Sequence, residues 1–130
     1  MSKQNAVQKF FSGLGGGDMN RILEAVHDDA VFEAQGPGTI PIYNTFYGRE
    51  GVKEFVRILV ELFDTEDFKV YVTAPYEDYI FAHGLMKHRV RKTGKIFECE
   101  WALVCRIKDG RIISYKMFED TSALENAYRA

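Results

Sequence analysis

The chain of 130 residues is poor in cysteine and proline and has no long apolar run. Each shortage excludes something. Cys99 and Cys105 are six residues apart in one predicted strand, about 20 Å at strand rise, so they cannot form a disulfide and read as two buried thiols. Nothing approaches the roughly 20 consecutive apolar residues of a membrane-spanning helix. The opening MSKQNAVQKFF lacks the apolar core of a secretory leader, and the chain reads as cytoplasmic. Net charge is only -2 and no five like charges run together, so the clustered basic surface that nucleic acid requires is missing. The histidines, His27, His83 and His88, have no metal-ligating spacing, and no metal is expected. His27 is placed at a helix end, where it would favour the dipole. The glycines of Gly13-Leu-Gly-Gly-Gly-Asp18 follow a helix, and no Lys-Ser/Thr pair succeeds them, so they are no phosphate loop. No organic cofactor motif is present. With neither repeat nor linker, residues 1–130 read as one domain.

What is there is apolar and aromatic: 46% hydrophobic residues, with ten Phe, seven Tyr and one Trp, enough to fill a core or line a cavity. Ala6, Val7, Phe10, Phe11 and Leu14 recur at helical spacing, and Met19, Ile22, Leu23 and Val26 repeat the pattern behind Asp18 as cap. Asp29–Ala34 reads as a short strand. Residues 35–48 form a Gly- and Pro-punctuated loop, apolar enough for a lid or a pocket rim. Val52, Phe55, Val56, Leu59, Leu62 and Phe63 mark the longest helix. From Phe68 the period becomes two, with strands near 67–74, 79–91, 95–107 and 111–119. Ser122-Ala-Leu-Glu125 has capping-box spacing and opens a last short helix. Helices first and a meander last predict an α+β domain with a bent antiparallel sheet closed over helices around an internal apolar pocket.

Register decides which side chains face inward. A two-residue Thr93-Gly94 turn would set Arg89 opposite Glu98, Lys87 opposite Glu100, Met86 opposite Trp101 and Val90 opposite Phe97, gathering the apolar residues on one face. A three-residue Lys108-Asp109-Gly110 turn would set Cys105 opposite Ile113, Leu103 opposite Tyr115 and Trp101 opposite Met117. The inner face is then Gly84, Met86, His88 and Val90, next Phe97, Cys99, Trp101, Leu103 and Cys105, and last Ile113, Tyr115, Met117 and Glu119. Phe32, Phe55 and Leu59, with Tyr43 and Tyr47 from the loop, complete the expected ligand lining. His88 and Glu119 would flank Cys99 about 10 Å apart, bridged by a ligand or a water. Burial raises a carboxyl pKa and lowers that of histidine, which prepares acid–base chemistry near neutral pH. The plain alternatives are a satisfied core histidine and a carboxylate that points to water.

Five segments carry a family resemblance. They are Gly17-Asp18, Asp28-Asp29-Ala-Val-Phe32, Tyr47-Gly48-Arg-Glu-Gly-Val52-Lys-Glu-Phe55, Lys108-Asp-Gly-Arg-Ile112 and Phe118-Glu-Asp120-Thr-Ser-Ala-Leu124. Together the chain resembles the SnoaL-like polyketide cyclases, in the superfamily that holds nuclear transport factor two, ketosteroid isomerase and scytalone dehydratase. The resemblance implies a cone-shaped, strongly bent sheet wrapped around N-terminal helices, a cystatin-like α+β barrel. It covers the fold and no particular activity. The isomerases' general-base Asp falls at Ala34 and their second Asp near Leu103. The limonene epoxide hydrolases' last-strand Asp falls at Met117, and their Arg-x-Asp is missing. The cyclases' terminal Asp matches Glu119-Asp120, while their fourth-strand His has no counterpart unless His88 replaces it. Asp120 also competes as cap of the last helix.

Two readings follow. In the first, the chain is a cofactor-independent isomerase, cyclase or dehydratase for a small apolar carbonyl compound. Glu119 or Asp120 exchanges a proton, His88 assists, and Tyr43, Tyr47 or Tyr115 binds an oxygen. In the second, the same pocket belongs to a non-catalytic ligand- or partner-binding module. Leu85, Ala102, Val104 and Phe118 leave the outer sheet face too apolar for full solvation, and members of the superfamily often pair there, so a homodimer is expected.

Overall fold

The computed structural model describes residues 4–130. Helix α1 (Gln4–Gly16) turns at Gly17 into α2 (Met19–Glu24), where the Asp18 side chain accepts the Arg21 N–H at 3.1 Å and caps the new helix. Strand β1 (Val26–Ala34) follows, then a loop, the short β2 (Thr45–Tyr47), and the long helix α3 (Gly48–Leu62). Strands β3 (Phe63–Tyr76), β4 (Tyr79–Val90), β5 (Ile96–Lys108) and β6 (Arg111–Phe118) form the meander, and α4 (Thr121–Tyr128) ends the chain. The six strands lie in the order β2-β1-β6-β5-β4-β3.

The α+β expectation holds, with corrections. The sheet is curved but unclosed, with β2 and β3 as its edges, so it is no barrel. It is also not wholly antiparallel, because β1 runs parallel to β6. Register shifts between Thr65 and Asp67, between Val70 and Val72, and between Arg106 and Ile107 supply local bends. Val26 and His27 belong to β1 and not to a helix. The His27 ring therefore answers to no helix dipole; its Nδ1 accepts the Asp29 N–H at 3.0 Å. Phe63 opens β3 instead of closing α3, and α4 is capped by Asp120, which places Ser122 inside the helix.

The core is an aromatic stack between α1, α3 and the β1–β6 pair. Phe32 lies flat on Tyr115, with centroids 4.4 Å apart and planes 4° from parallel. Phe10 from α1 meets both rings at 5.3 and 5.4 Å, and Phe55 from α3 meets them at 5.7 and 5.8 Å. Edge contacts of this kind add to the burial of large apolar surfaces.

Both hairpins keep the expected faces and shift the expected partners. Between β4 and β5 the loop is Arg91–Lys95, longer than a two-residue turn, and it sets Met86 opposite Cys99, His88 opposite Phe97 and Gly84 opposite Trp101. Between β5 and β6 the turn is Asp109-Gly110, with φ of 53° and 75°, the left-handed pair of a two-residue hairpin. The shift between Arg106 and Ile107 then sets Leu103 opposite Met117 and Cys105 opposite Tyr115. The same irregularity turns Ile112 inward, fully buried, and leaves Ile113 half-exposed.

The reason for the first shift is steric. Trp101 is fully buried, stacked on Phe68 at 5.2 Å and tilted against Phe11 at 5.7 Å. Its ring crosses Gly84 so closely that a β-carbon there would lie 2.5 Å from Cζ2, and 1.9 Å from the Lys69 carbonyl oxygen. Methionine opposite the indole, as first expected, would leave no such slot. The charges find other partners: Arg89 pairs with Glu66 on β3 at 3.0 Å, and Glu100 with His83 at 3.1 Å. Gly84→Ala should therefore cost about 1–3 kcal/mol or more by overpacking, read as a lowered urea midpoint with an unchanged slope.

Candidate functional site

Between the helices and the concave sheet face lies a cavity of about 460 Å³. Phe11 and Leu14 of α1, Phe55 and Leu59 of α3, and Phe63, Phe68, Met86, Phe97, Tyr115 and Met117 of the sheet supply most of its wall. Ala34 and Ile42 close the side near β1. Its polar groups fall into two sets: Glu119, with the Tyr115 residue beside it, and a lip of Asp64, Thr65, His88 and Arg91.

Glu119 stands just past the end of β6, where the chain leaves the sheet for α4. Tyr43 donates its hydroxyl to Oε2 of Glu119 at 2.8 Å. The tyrosine is held by its own loop: Ile40 and Ile42 are buried beside it, and the backbone passes over its ring at Gly36, where a β-carbon would lie 2.5 Å from Cδ2. Burial pushes the Glu119 carboxyl above its usual range, and the bond from Tyr43 opposes that rise. Burial first, and Glu119 second, push the Tyr43 hydroxyl far up, so it remains a proton donor. Tyr115, wholly buried, is pushed up as well, by burial and then by Cys105 and Glu119.

His88 is 8% exposed and stacks on Phe63 with centroids 4.5 Å apart. Thr65 Oγ1 lies 3.0 Å from its Nδ1. Desolvation lowers the imidazole to about 4, so the ring is neutral at physiological pH.

The two candidates share the cavity but not one proton. Glu119 follows Phe118, which pairs with Ala102, so it sits level with Trp101 and Gly84, four residues along β4 from His88. That is roughly 13 Å along the strands, besides two strand spacings of about 4.8 Å. His88 lies opposite Phe97 and does not flank Cys99, which faces Met86 and is half-buried. Asp120 is exposed, and its carboxylate accepts the Ala123 N–H at 3.0 Å as the cap of α4.

Of the ten expected ligand contacts, Phe55, Leu59, Met86, Tyr115 and Met117 line the cavity. Phe32, Trp101 and Leu103 lie deeper, in the packed core. Tyr43 spends its hydroxyl on Glu119, and Tyr47 is 69% exposed, clear of the wall. The lip residues Asp64, Thr65 and Arg91 were not among the expected site residues: the expected helix reached Phe63 and the expected strand began near 67, whereas β3 starts at Phe63 directly after α3. Among the described residues no three His, Cys, Asp or Glu side chains gather as metal ligands.

The chain matches the SnoaL-like domain family over residues 7–115 and belongs to that family. None of the curated proteins matches it. Among solved structures it is similar to an NTF2-like protein from Burkholderia thailandensis, with 22% identity, 100% of this chain and 99% of the other covered, and a TM-score of 0.88. TerC, co-crystallized with polyporic acid, is 17% identical, with 98% of each chain covered and a TM-score of 0.88. A protein of ketosteroid isomerase-like fold from Catenulispora acidiphila, in complex with trimethylamine, is 13% identical, covers 95% of this chain and 91% of its own, and has a TM-score of 0.80. At these identities the similarity shows the fold alone.

The two titrating groups give opposite pH signatures. Glu119 is raised in the folded state, so its stabilising share is complete below the ordinary value of 4.5 and fades as pH rises through the folded value. Glu119→Gln, which keeps an acceptor for Tyr43, should therefore be more stable than the parent at neutral pH, with the advantage gone below pH 4.5. His88 is lowered, so its share is complete above 6.5 and is lost as pH falls through about 4; His88→Gln should flatten that acid limb. Denaturant titrations from pH 3 to 8 check both; a parent-like acid limb in His88→Gln counts against the second.

Proposed function

We propose that the chain binds a small, largely apolar carbonyl compound in the cavity and moves a proton on it without metal or organic cofactor, as an isomerase, cyclase or dehydratase does. The single observation that carries this reading is the Glu119 carboxyl, in an apolar cavity with its pKa raised and a tyrosine hydroxyl fixing its orientation. A carboxyl tuned upward exchanges protons near neutral pH far better than one at its ordinary value. In the proposed step, Glu119 takes a proton from carbon beside the carbonyl. The C–H electron pair becomes the enolate double bond, and the proton returns from the carboxylic acid to another atom of the same molecule. Tyr115 donates to the enolate oxygen, and Tyr43 positions the carboxylate. His88 takes no part in the transfer, and Asp120 serves as a cap. Family membership supports this class of chemistry, and the ligands in the names of TerC and the Catenulispora protein support the use of this fold for small molecules.

Glu119→Gln should lower proton exchange on an active aryl ketone by about a hundred- to ten-thousand-fold, read by NMR in heavy water. Ligand affinity should hardly change, since the lost interaction belongs to the transition state. Exchange that survives in Glu119→Gln refutes the assignment. Ligands that bind the parent without any exchange favour the second reading, a binding module of the same fold, for which the missing isomerase Asp at Ala34 speaks.

The reading includes a homodimer of one-domain chains. On the outer sheet face Phe81 is 41% exposed and Phe118 48%, with Val104 half-buried between them and Val72 and Ala102 exposed alongside. These apolar side chains, interleaved with His83, Glu100 and Lys116 on the same face of a twisted sheet, suit a two-fold contact. Light scattering should give about twice the 14.9 kDa of one chain, and Phe118→Lys should return the mass to a single chain. A parent mass of one chain at micromolar concentration refutes the dimer.

A further inference from the structure

The proton chemistry uses one end of the cavity and leaves the other, about 13 Å along the strands, without a task. His88 is the buried polar side chain of that other end, 8% exposed and part of the cavity wall. We propose that His88 is a recognition subsite for one uncharged hydroxyl of the ligand, carried at the end away from the reacting carbon; the proposal rests on the cavity being the binding site.

The ring is fixed by its neighbours. Phe63 stacks on it with centroids 4.5 Å apart, and Thr65, directly opposite on β3, engages Nδ1 at 3.0 Å. Alternate residues of β4 from Ile80 to Val90 face inward, so the imidazole stands on the concave side of the sheet. Its Nδ1 is next to the carbon that bears Cβ, whereas Nε2 is at the far end of the ring, deeper in the interior. Among the described residues no group engages Nε2, and it is not one of the polar atoms sealed inside the packing. One nitrogen of a buried, immobile ring therefore opens on the cavity without a partner.

Its chemistry selects the occupant. Whichever of Thr65 and His88 donates to the other, a hydroxyl fits, because it can give a proton to a bare Nε2 or accept one from Nε2–H. Desolvation keeps the ring neutral at physiological pH, so it offers an anion no opposite charge. The formal charges at this end are spent on each other: Arg91 Nη2 pairs with Asp64 at 2.7 Å, and Arg91 Nε donates to the Phe63 carbonyl at 3.3 Å. Between His88 and Glu119 the wall runs over Phe97, Met86 and Met117, which suit an apolar body. The ligand so defined is elongated, with its carbonyl and reacting carbon at Glu119 and its hydroxyl at His88.

Three probes of one skeleton test this: benzylacetone and its para-hydroxy and para-methoxy forms. Titrations are followed by NMR on protein labelled with carbon-13 at the methionine methyls, because Met86 and Met117 report the cavity itself. The phenol should bind about fivefold tighter than benzylacetone, the scale of one neutral hydrogen bond. In His88→Phe, which keeps a ring against Phe63, the order should reverse, since a hydroxyl without a partner is costly to bury. Long-range proton–nitrogen spectra of the nitrogen-15 parent serve if His88→Phe fails to fold. There the Nε2 signal of His88 should move with the phenol and hold its place with the other two probes. A phenol that binds no tighter than benzylacetone or the ether overturns the hydroxyl subsite and leaves the cavity standing. A preference that survives His88→Phe, or an Nε2 signal that the phenol leaves in place, overturns it as well. A phenol preference without any proton exchange on the ketone upholds the subsite and strikes only the proton chemistry. If none of the three moves either methyl, the cavity reading fails and the subsite with it.

Discussion

Everything about the site depends on how closely the indole of Trp101 passes over Gly84. A buried tryptophan in a sheet needs a rung where the facing strand has no side chain, and β4 offers one glycine. That contact fixes which residue of β4 faces which residue of β5. It also leaves Phe68 of β3 free to cover the ring, so the edge strand is registered by the same pile. Had Met86 faced the indole, His88 and Glu119 would stand two residues apart along the strands; with Met117 opposite Trp101 as well they would share a rung, and a two-residue acid–base pair would be the natural reading. Four residues of separation put them at two ends of one cavity.

The elements legible from sequence were those with a strong local signal. The helical spacing of Phe10, Leu14, Val52 and Phe55, the cap at Asp18 and the alternation from Phe68 onward all point to the structure observed. The faces of β4 and β5 were legible for the same reason, because alternation survives a shift of two residues. Partners across the hairpins were not, since Thr93-Gly94 and Asp109-Gly110 each allow several loop geometries that put the same residues inside. Charge pairing misled too: Arg89 had Glu66 on β3 available as well as Glu98 on β5. The sequence did contain the deciding signal, a lone Gly84 in an otherwise full strand, though its meaning is clear only once its neighbour is known.

Glu119 was legible as an acidic residue interrupting an apolar face, and its place on the cavity wall agrees. Its partner was not. Tyr43 comes from a loop without periodicity, and only the folded chain shows Gly36, Ile40 and Ile42 turning that ring toward the end of β6. The lip was invisible for a related reason. Thr65 gains its importance from lying opposite His88, and that rung exists because β3 begins the moment α3 stops.

The parallel pairing of β1 with β6 has a kinetic side. Phe32 pairs with Tyr115, more than eighty residues later in the chain, and their stacked rings tie the middle of the core together. A newly made β1 therefore has only the short β2 as a nearby companion, and its other edge waits until the whole meander has been synthesised. Long-range closure of this kind slows folding and prolongs the exposure of an unpaired apolar strand. During its synthesis, the chain is most vulnerable to wrong association along the edge of β1, which becomes one of the best protected in the finished molecule.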